Sequence, residues 1–120
     1  MALDIEITEQ GHGGRRVTLR GRLDTQTAPD LDGRLDPLLA TSTVTALVFD
    51  LGGLEYISSA GIRSLVKARR ALESRGGGVA VARLQPAVRK VFDIVRALPS
   101  TDVFADDAEF DAYLDRMQQR

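Results

Sequence analysis

The hydrophobic positions of the chain change their period several times, and each change predicts a new element. Residues 3–8 and 16–20 alternate apolar and polar side chains, which is typical of half-buried strands. The glycine-rich segment 10–14 lies between them. The first two strands are therefore predicted to form an antiparallel hairpin at one end of a sheet.

Beyond the hairpin, apolar residues recur at helical spacing in segments that are separated by short strand-like runs. Thr25 or Thr27 is a candidate cap for the first helix, whose first turn tolerates Pro29, and the glycines at 76–78 end the second helix. The predicted helices cover about 28–40, 59–74, 86 onward and 106 onward, and the predicted strands cover 46–50, 79–82 and, weakly, 101–104.

The resulting order is β-β-α-β-α-β-α-β-α, so the sequence predicts an α/β protein with a single mixed, largely parallel β-sheet and helices packed against it. One domain is expected to cover residues 1–120. The loops that follow parallel strands meet at the carboxyl edge of the sheet, where α/β proteins place their sites. Asp24 and Ser59 are therefore expected at the same edge. The loops predicted to meet there are Gly21–Thr27, Leu51–Ala60 and Leu84–Pro86.

The segment 46–65 contains the residues with the most chemical interest. An apolar strand runs to Asp50, the pair Gly52-Gly53 is interpreted as a turn, and Ser58 and Ser59 stand where the helical period begins. Free backbone N–H groups and the dipole at a helix N-terminus favour negative charge. A serine in this place is suited to carrying a phosphate and is equally suited to capping the helix, so the pattern alone leaves both roles open.

Composition narrows the class of protein. The 120 residues are 43% hydrophobic and 28% charged, which fits one globular domain with a core of its own. The net charge of −1 gives no sign of the basic patch that nucleic-acid-binding proteins carry, and the lack of cysteine excludes disulfides and thiol catalysis. The chain has neither a secretion leader nor an apolar run of about 20 residues, so we expect a cytoplasmic protein that does not insert into membranes.

Catalytic and metal-binding templates do not fit the chain. The pair Gly52-Gly53 lacks the lysine of a phosphate-binding loop, and Ser58 and Ser59 do not stand in a nucleophile elbow. His12 is the only histidine, and it stands in the hairpin turn without a second histidine to share a metal ion. A protein without catalytic residues, metal or cofactor is therefore favoured over an enzyme.

Three segments carry a pattern that extends over most of the chain. They are Tyr56-Ile-Ser-Ser-Ala-Gly-Ile-Arg-Ser-Leu65, Gly21-Arg-Leu-Asp-Thr-Gln-Thr-Ala28 and Gln85-Pro-Ala-Val-Arg-Lys-Val-Phe92. In order and spacing they resemble the STAS domain family, specifically the bacterial anti-sigma factor antagonists.

The resemblance implies a switch rather than a catalyst. In this family an unmodified antagonist binds an anti-sigma factor, which is a serine kinase of the histidine-kinase-like ATPase type, and so frees a sigma factor. The kinase then phosphorylates the antagonist with ATP and the complex dissociates. A metal-dependent serine phosphatase restores the binding form. The implied role of this chain is that of a regulator of transcription that is a monomer when free.

The resemblance also implies which residues act. Ser59 takes the phosphorylated position of the family pattern, and Ser58, which stands where the family usually has an aspartate, is the alternative. Asp24 can serve the partner or only begin a helix, and the basic face of the second long helix can be a partner-specific stripe or a solvated surface. The implied partner-binding residues are Asp24, Thr25, Ser58, Ser59, Ala60, Gly61, Arg63 and Lys67.

Two other classes stand as alternatives. A STAS subunit of a membrane transport system would dock on its ATPase without phosphorylation, and a mass gain at Ser59 after incubation with candidate kinases and ATP would favour the antagonist instead. A small nucleotide-binding or sensory module is the third class, and the lack of a phosphate-binding loop argues against it.

Overall fold

The computed structural model describes residues 3–95 and 102–104, and the elements within them follow the predicted order. They are β1 (Leu3–Glu9), β2 (Gly14–Leu23), α1 (Ala28–Leu39), β3 (Ala46–Ile57), α2 (Ser59–Glu73), β4 (Gly78–Ala82), α3 (Pro86–Val95) and β5 (Asp102–Phe104). The weakly predicted last strand is therefore present as β5. The helix that was predicted from about residue 106 onward lies outside the described residues.

The strands form one sheet in the order β1-β2-β3-β4-β5. β1 and β2 pair antiparallel across a turn in which Gly11 and Gly13 have φ angles of 64° and 75°, and every later pair is parallel. These pairings confirm the predicted hairpin and the mixed, largely parallel sheet. Because β2 and β3 are parallel neighbours, their carboxyl ends lie side by side.

One face of the sheet is apolar, and α1 and α2 pack on it. Along β2 the buried residues alternate with more exposed ones, as the two-residue period of a strand requires. The largest fully buried side chains are Phe49, Leu19, Leu23, Leu31, Leu35, Leu47, Leu51, Leu54, Ile57, Leu65 and Leu72. No helix within the described residues is both long enough and apolar enough to cross a membrane.

The turn predicted at Gly52-Gly53 is wrong, because β3 continues through both glycines to Ile57. β2 pairs with β3 along this whole stretch and ends with Leu23 opposite Ile57. Two register shifts within the pairing show that the ladder is irregular there. The strand therefore carries the chain directly to the start of α2.

Gly53 of β3 makes room for an arginine side chain of the neighbouring strand. A Cβ atom on Gly53 would lie 2.8 Å from Cγ of Arg20 in β2. A Cβ atom on Gly52 would lie 3.3 Å from Oδ1 of Asp50 and 3.4 Å from Cβ of Arg83, which follows β4, so this position is less constrained. Glycine inside a strand often marks a close lateral approach, and here Gly53 permits the approach of Arg20.

The C-terminal end of α1 is held by a residue from the end of α2. Pro37 lies inside the last turn of α1, where a proline removes a backbone donor and weakens the helix. The guanidinium of Arg75 donates hydrogen bonds to carbonyl oxygens at this end and in the loop that follows. These carbonyls belong to Leu39, Thr41 and Val44. Arg75 therefore ties the α1–β3 loop to α2.

We predict that Arg75→Ala lowers the free energy of unfolding by about 1–2 kcal/mol, because several carbonyls lose a charged donor. Urea unfolding followed by circular dichroism measures the change. Arg70→Ala is the matched control, since Arg70 is exposed on α2, and it should change the stability by less than about 0.5 kcal/mol. Equal effects of the two substitutions would show that the contacts of Arg75 do not stabilise the fold.

Candidate functional site

The carboxyl ends of β2 and β3 are joined by backbone contacts. Leu23 pairs with Ile57, and the backbone N–H of Ser58 donates to the carbonyl oxygen of Leu23 at 2.9 Å. Asp24 follows one of these strands and Ser59 begins the helix after the other. The expectation that Asp24 and Ser59 lie at the same edge is therefore confirmed.

Asp24 begins the turn into α1 through reciprocal hydrogen bonds with Thr27. Its Oδ1 accepts from the backbone N–H groups of Gln26 and Thr27 at 3.0 and 3.1 Å. The Thr27 hydroxyl accepts from the backbone N–H of Asp24 at 2.9 Å, which completes a capping-box arrangement. The bond from the Thr27 N–H is the main cause that lowers the pKa of Asp24, and it outweighs the opposing effect of desolvation.

Of the two threonines expected at the start of α1, Thr27 is the N-cap residue, but its side chain makes no cap hydrogen bond to the helix. Thr25 is exposed in the turn. The carboxylate of Asp24 instead accepts from backbone N–H groups of the turn, and the backbone carbonyl of Asp24 accepts from the N–H of Ala28 at 2.8 Å. Of the two roles left open for Asp24, the structure shows the helix-starting one.

Ser58 and Ser59 have different environments although they are adjacent. Ser58 has an extended backbone, with φ −99° and ψ 173°, and its Oγ accepts from the N–H of Gly61 at 3.3 Å. It is therefore the N-cap of α2. Ser59 is the first residue of the helix and its side chain is exposed. The capping role that the sequence offered to either serine belongs to Ser58, and the Ser59 hydroxyl is open to solvent.

Gly61 allows the first turn of α2 to approach the ends of the two strands. A Cβ atom at this position would lie 2.6 Å from Cγ of Leu23 and 3.0 Å from Cγ1 of Ile57, which is closer than packed atoms tolerate. Gly61 is itself buried. Its predicted partner-binding role therefore does not take the form of a surface contact. The residue positions the two serines instead.

A groove runs between α1 and α2 and begins beside the serines. Its volume is about 260 Å³. Residues from both helices and from the turn before α1 line it, among them Thr25, Pro29, Asp32, Ala60, Arg63 and Lys67. Arg63 and Lys67 are exposed, and Lys67 forms an ion pair with Asp36 of α1 at 3.4 Å. We call this feature the α1–α2 groove; it brings four of the predicted partner-binding residues together.

The third loop expected at the site, Leu84–Pro86, lies elsewhere. β4 ends at Ala82 opposite Asp50, whereas β3 continues about 20 Å farther at roughly 3.3 Å per residue. The Gln85 side chain donates to the carbonyl oxygen of Gly52 at 2.7 Å, which fixes this loop at the middle of β3. The sheet has a stepped edge, and the serines lie on its longer side.

Asp50 forms a buried ionic cluster at that step. Its carboxylate accepts from Arg16 at 2.7 Å and from the N–H of Gly52 at 3.0 Å, and Arg83 lies 3.6 Å away. Arg83 has a φ of 61°, a strained conformation for a residue with a side chain. Burial raises the pKa of Asp50, but the Gly52 N–H and the Arg16 guanidinium outweigh it and lower the pKa below its ordinary value. This carboxylate fastens the sheet.

Sequence reasoning missed a pair of side chains beside the site. The guanidinium of Arg22 lies 4.2 Å from the centre of the Tyr56 ring, and Tyr56 is 40% exposed. The two residues are partners in the β2–β3 register and lie on the face of the sheet opposite the core. Tyrosine and arginine are among the residue types that most often carry binding energy at interfaces. The register of β2 and β3 was the missing signal, because only pairing brings the two residues together.

We predict that Ser58→Ala lowers the free energy of unfolding by about 1 kcal/mol, because the N–H of Gly61 loses its acceptor. Ser59→Ala is the matched control and should change it by less than about 0.5 kcal/mol. Chemical denaturation of both variants measures the difference. A larger loss for Ser59→Ala than for Ser58→Ala would contradict the assignment of the cap.

Gly61→Ala is expected to lower the free energy of unfolding by about 1–3 kcal/mol, because the added methyl group overlaps Leu23. Gly33→Ala, in the exposed interior of α1 with open space around it, should raise it by roughly 0.5–1 kcal/mol through helix propensity. Thermal unfolding of both variants supplies the comparison. If Gly61→Ala stabilises the protein as Gly33→Ala does, the close approach at Gly61 is not a constraint.

Two relatives share part of this sequence. The anti-sigma F factor antagonist of Lysinibacillus sphaericus is 28% identical over 76 residues, which are 63% of this chain and 65% of that protein. BtrV of Bordetella bronchiseptica is 44% identical over 48 residues, which are 40% of this chain and 41% of that protein. The matched segments therefore span less than two thirds of either relative.

The fold is similar to that of the anti-sigma factor antagonist SpoIIAA. The unphosphorylated form of SpoIIAA gives a TM-score of 0.74 at 18% identity and covers 96% of this chain and 98% of its own. The phosphorylated form of the Bacillus protein also gives 0.74 at 18% identity and covers 92% and 99%. Similarity at this identity concerns the fold alone. The model of the STAS domain family matches residues 5–109, and the chain therefore belongs to the STAS domain family.

Proposed function

We propose that this protein is an anti-sigma factor antagonist that is switched by phosphorylation of Ser59. In its unmodified form it binds a cytoplasmic anti-sigma factor that is a serine kinase of the histidine-kinase-like ATPase type, and so releases a sigma factor. Phosphorylation of Ser59 abolishes this binding, and a metal-dependent serine phosphatase reverses the change. The observation that carries the proposal is the exposed Ser59 hydroxyl at the start of α2, beside the α1–α2 groove.

Exposure and hydrogen bonding favour Ser59 over Ser58 as the modified residue. Ser58 is half-buried, and its Oγ holds the N–H of Gly61. A phosphate on that oxygen would disturb the cap. Before modification, the Ser58 hydroxyl would also have to reach the kinase from a partly covered position. Ser59 makes no cap, so its oxygen is available to react without cost to the helix.

The proposed modification is an ordinary phosphoryl transfer in which this chain is the substrate. The Oγ of Ser59 attacks the γ-phosphorus of ATP, and the bond from that phosphorus to the bridging oxygen breaks so that ADP leaves. The hydroxyl proton passes to a base of the kinase. The kinase supplies the ATP site, so this chain needs no phosphate-binding loop of its own.

A phosphate on Ser59 is compatible with the fold but not with a packed interface. In the free protein the group lies in solvent at a helix N-terminus, where backbone N–H groups and the dipole favour an anion. In a complex the same charge, about −1.5 to −2, would lose its water without a prepared partner.

The proposed partner surface combines the edge of the sheet with the α1–α2 groove. Thr25, Ala60, Arg63 and Lys67 line the groove, and Ser58 and Ser59 directly precede Ala60 in the chain. Asp24 acts by fixing the turn that carries Thr25, since its Oδ1 is occupied by backbone N–H groups. Gly61 acts by holding the serines close to the strands.

Affinity capture of the anti-sigma factor by wild type, Ser59→Ala and Ser59→Asp tests the proposal. Wild type and Ser59→Ala should bind, and Ser59→Asp should lose more than about 100-fold in affinity, because an unpaired charge enters the interface. Ser42→Asp, in the exposed loop after α1 and outside the proposed surface, is the matched control for added charge and should bind as wild type does. If Ser59→Asp binds as tightly as wild type, Ser59 is not the switch.

Incubation with the captured kinase and ATP, followed by mass spectrometry, tests the covalent step. The proposal expects a phosphoryl group on Ser59 in wild type and no modification of Ser59→Ala. Capture of a transport ATPase without any mass gain would instead support the transport alternative.

A further inference from the structure

Arg63 lies one helical turn after Ser59 on the same face of α2. Residues four apart on a helix are neighbours on its surface, and an acidic group N-terminal to a basic one is the favourable order. Phosphorylation would place a strongly acidic group at position 59 with a guanidinium at position 63. The helix itself therefore sets the two groups at the spacing of a stabilising ion pair.

The guanidinium of Arg63 is available to such a group. Arg63 is exposed, and it makes no hydrogen bond or ion pair with any residue in the described part of the chain. The first turn of α2 contains no acidic side chain that would compete for it. The other charged groups that line the groove are Asp32 and Lys67, and Lys67 is already paired with Asp36.

We infer that the guanidinium of Arg63 forms an ion pair with the phosphate on Ser59 and holds it along the surface of α2. A guanidinium matches phosphate oxygens with two parallel N–H donors, which an ammonium group cannot do. Two features of α2 therefore act on the phosphate together: the free N–H groups of the first turn and the arginine one turn later. This inference rests on the proposed assignment of Ser59 as the modified residue.

Phosphorus NMR of the protein with phosphoserine introduced at position 59 during translation tests the inference. The phosphate is titrated through its second ionisation, near pH ~6 for a free group. A guanidinium beside the phosphate stabilises the dianion and so lowers this pKa, and Arg63→Ala should raise it by about half a unit at low salt. Arg63→Lys should give an intermediate value, and added salt should shrink the difference.

Arg70→Ala is the matched control. Arg70 is also exposed on α2 but lies about three turns beyond Ser59, so the pKa of the phosphate should not change. If the pKa of the phosphate in Arg63→Ala equals that in Arg70→Ala, the inference is overturned. Circular dichroism confirms that each variant is folded.

The titration separates this inference from the proposed function. The phosphoserine is introduced without a kinase and is measured without a partner, so the outcome does not depend on either. A failed binding experiment with a normal Arg63 effect would overturn the switch alone. If Arg63→Ala leaves the pKa of the phosphate unchanged while phosphorylation still abolishes binding, only the proposed ion pair with Arg63 is overturned.

Discussion

The contact between the first turn of α2 and the end of β2 is the constraint on which the site depends. The side chain of Leu23 fills the space that Gly61 leaves by having no Cβ, and the carbonyl of Leu23 accepts from the N–H of Ser58. One leucine therefore fixes both the start of α2 and the start of the Asp24 turn. Any outward shift of α2 would move the serines away from the turn at Asp24 and widen the groove between α1 and α2.

Much of the fold follows from the sequence because its periods are strong. The alternation in β1 and β2, the apolar stripes of α1 and α2 and the glycines after α2 each have one local interpretation, and the structure agrees with it. The turn predicted at Gly52-Gly53 is wrong for a physical reason. Glycine is a turn signal locally, but here Gly53 accommodates the side chain of Arg20 on the neighbouring strand β2, which no local window contains.

The sequence predicts which residues meet at the candidate site, but it does not predict the structural role of each one. Parallel topology brings Asp24 and Ser59 to one edge, and it requires no side-chain detail. Strand length decided the rest: β4 stops at Ala82 and leaves the Gln85 loop short of the serines. Which serine caps α2 depends on a backbone conformation and one Oγ–N–H contact, and both serines satisfy the sequence rule equally well.

The carboxylates of Asp24 and Asp50 both accept hydrogen bonds from backbone N–H groups and so stabilise the local structure. Asp24 is bound to the turn before α1, and Asp50 is bound to Arg16 and the N–H of Gly52; in both, the hydrogen bonds keep the pKa low. Neither is poised to exchange a proton near neutral pH. In the proposed switch, the exposed hydroxyl of Ser59 at the start of α2 is the group that the kinase modifies.

The placement of the cap and of the proposed switch on adjacent residues separates stability from regulation. Ser58 contributes its oxygen to the helix and stays half-buried, whereas Ser59 contributes its backbone and keeps its oxygen in solvent. If one serine had both roles, each phosphorylation would remove a cap worth about 1 kcal/mol and loosen the surface that the partner reads. With the roles divided, a phosphate changes the charge at the head of the α1–α2 groove while the Leu23–Gly61 contact keeps α2 in place. The switch then acts on the interface alone, because phosphorylation of Ser59 removes no hydrogen bond or packing contact that stabilises α2.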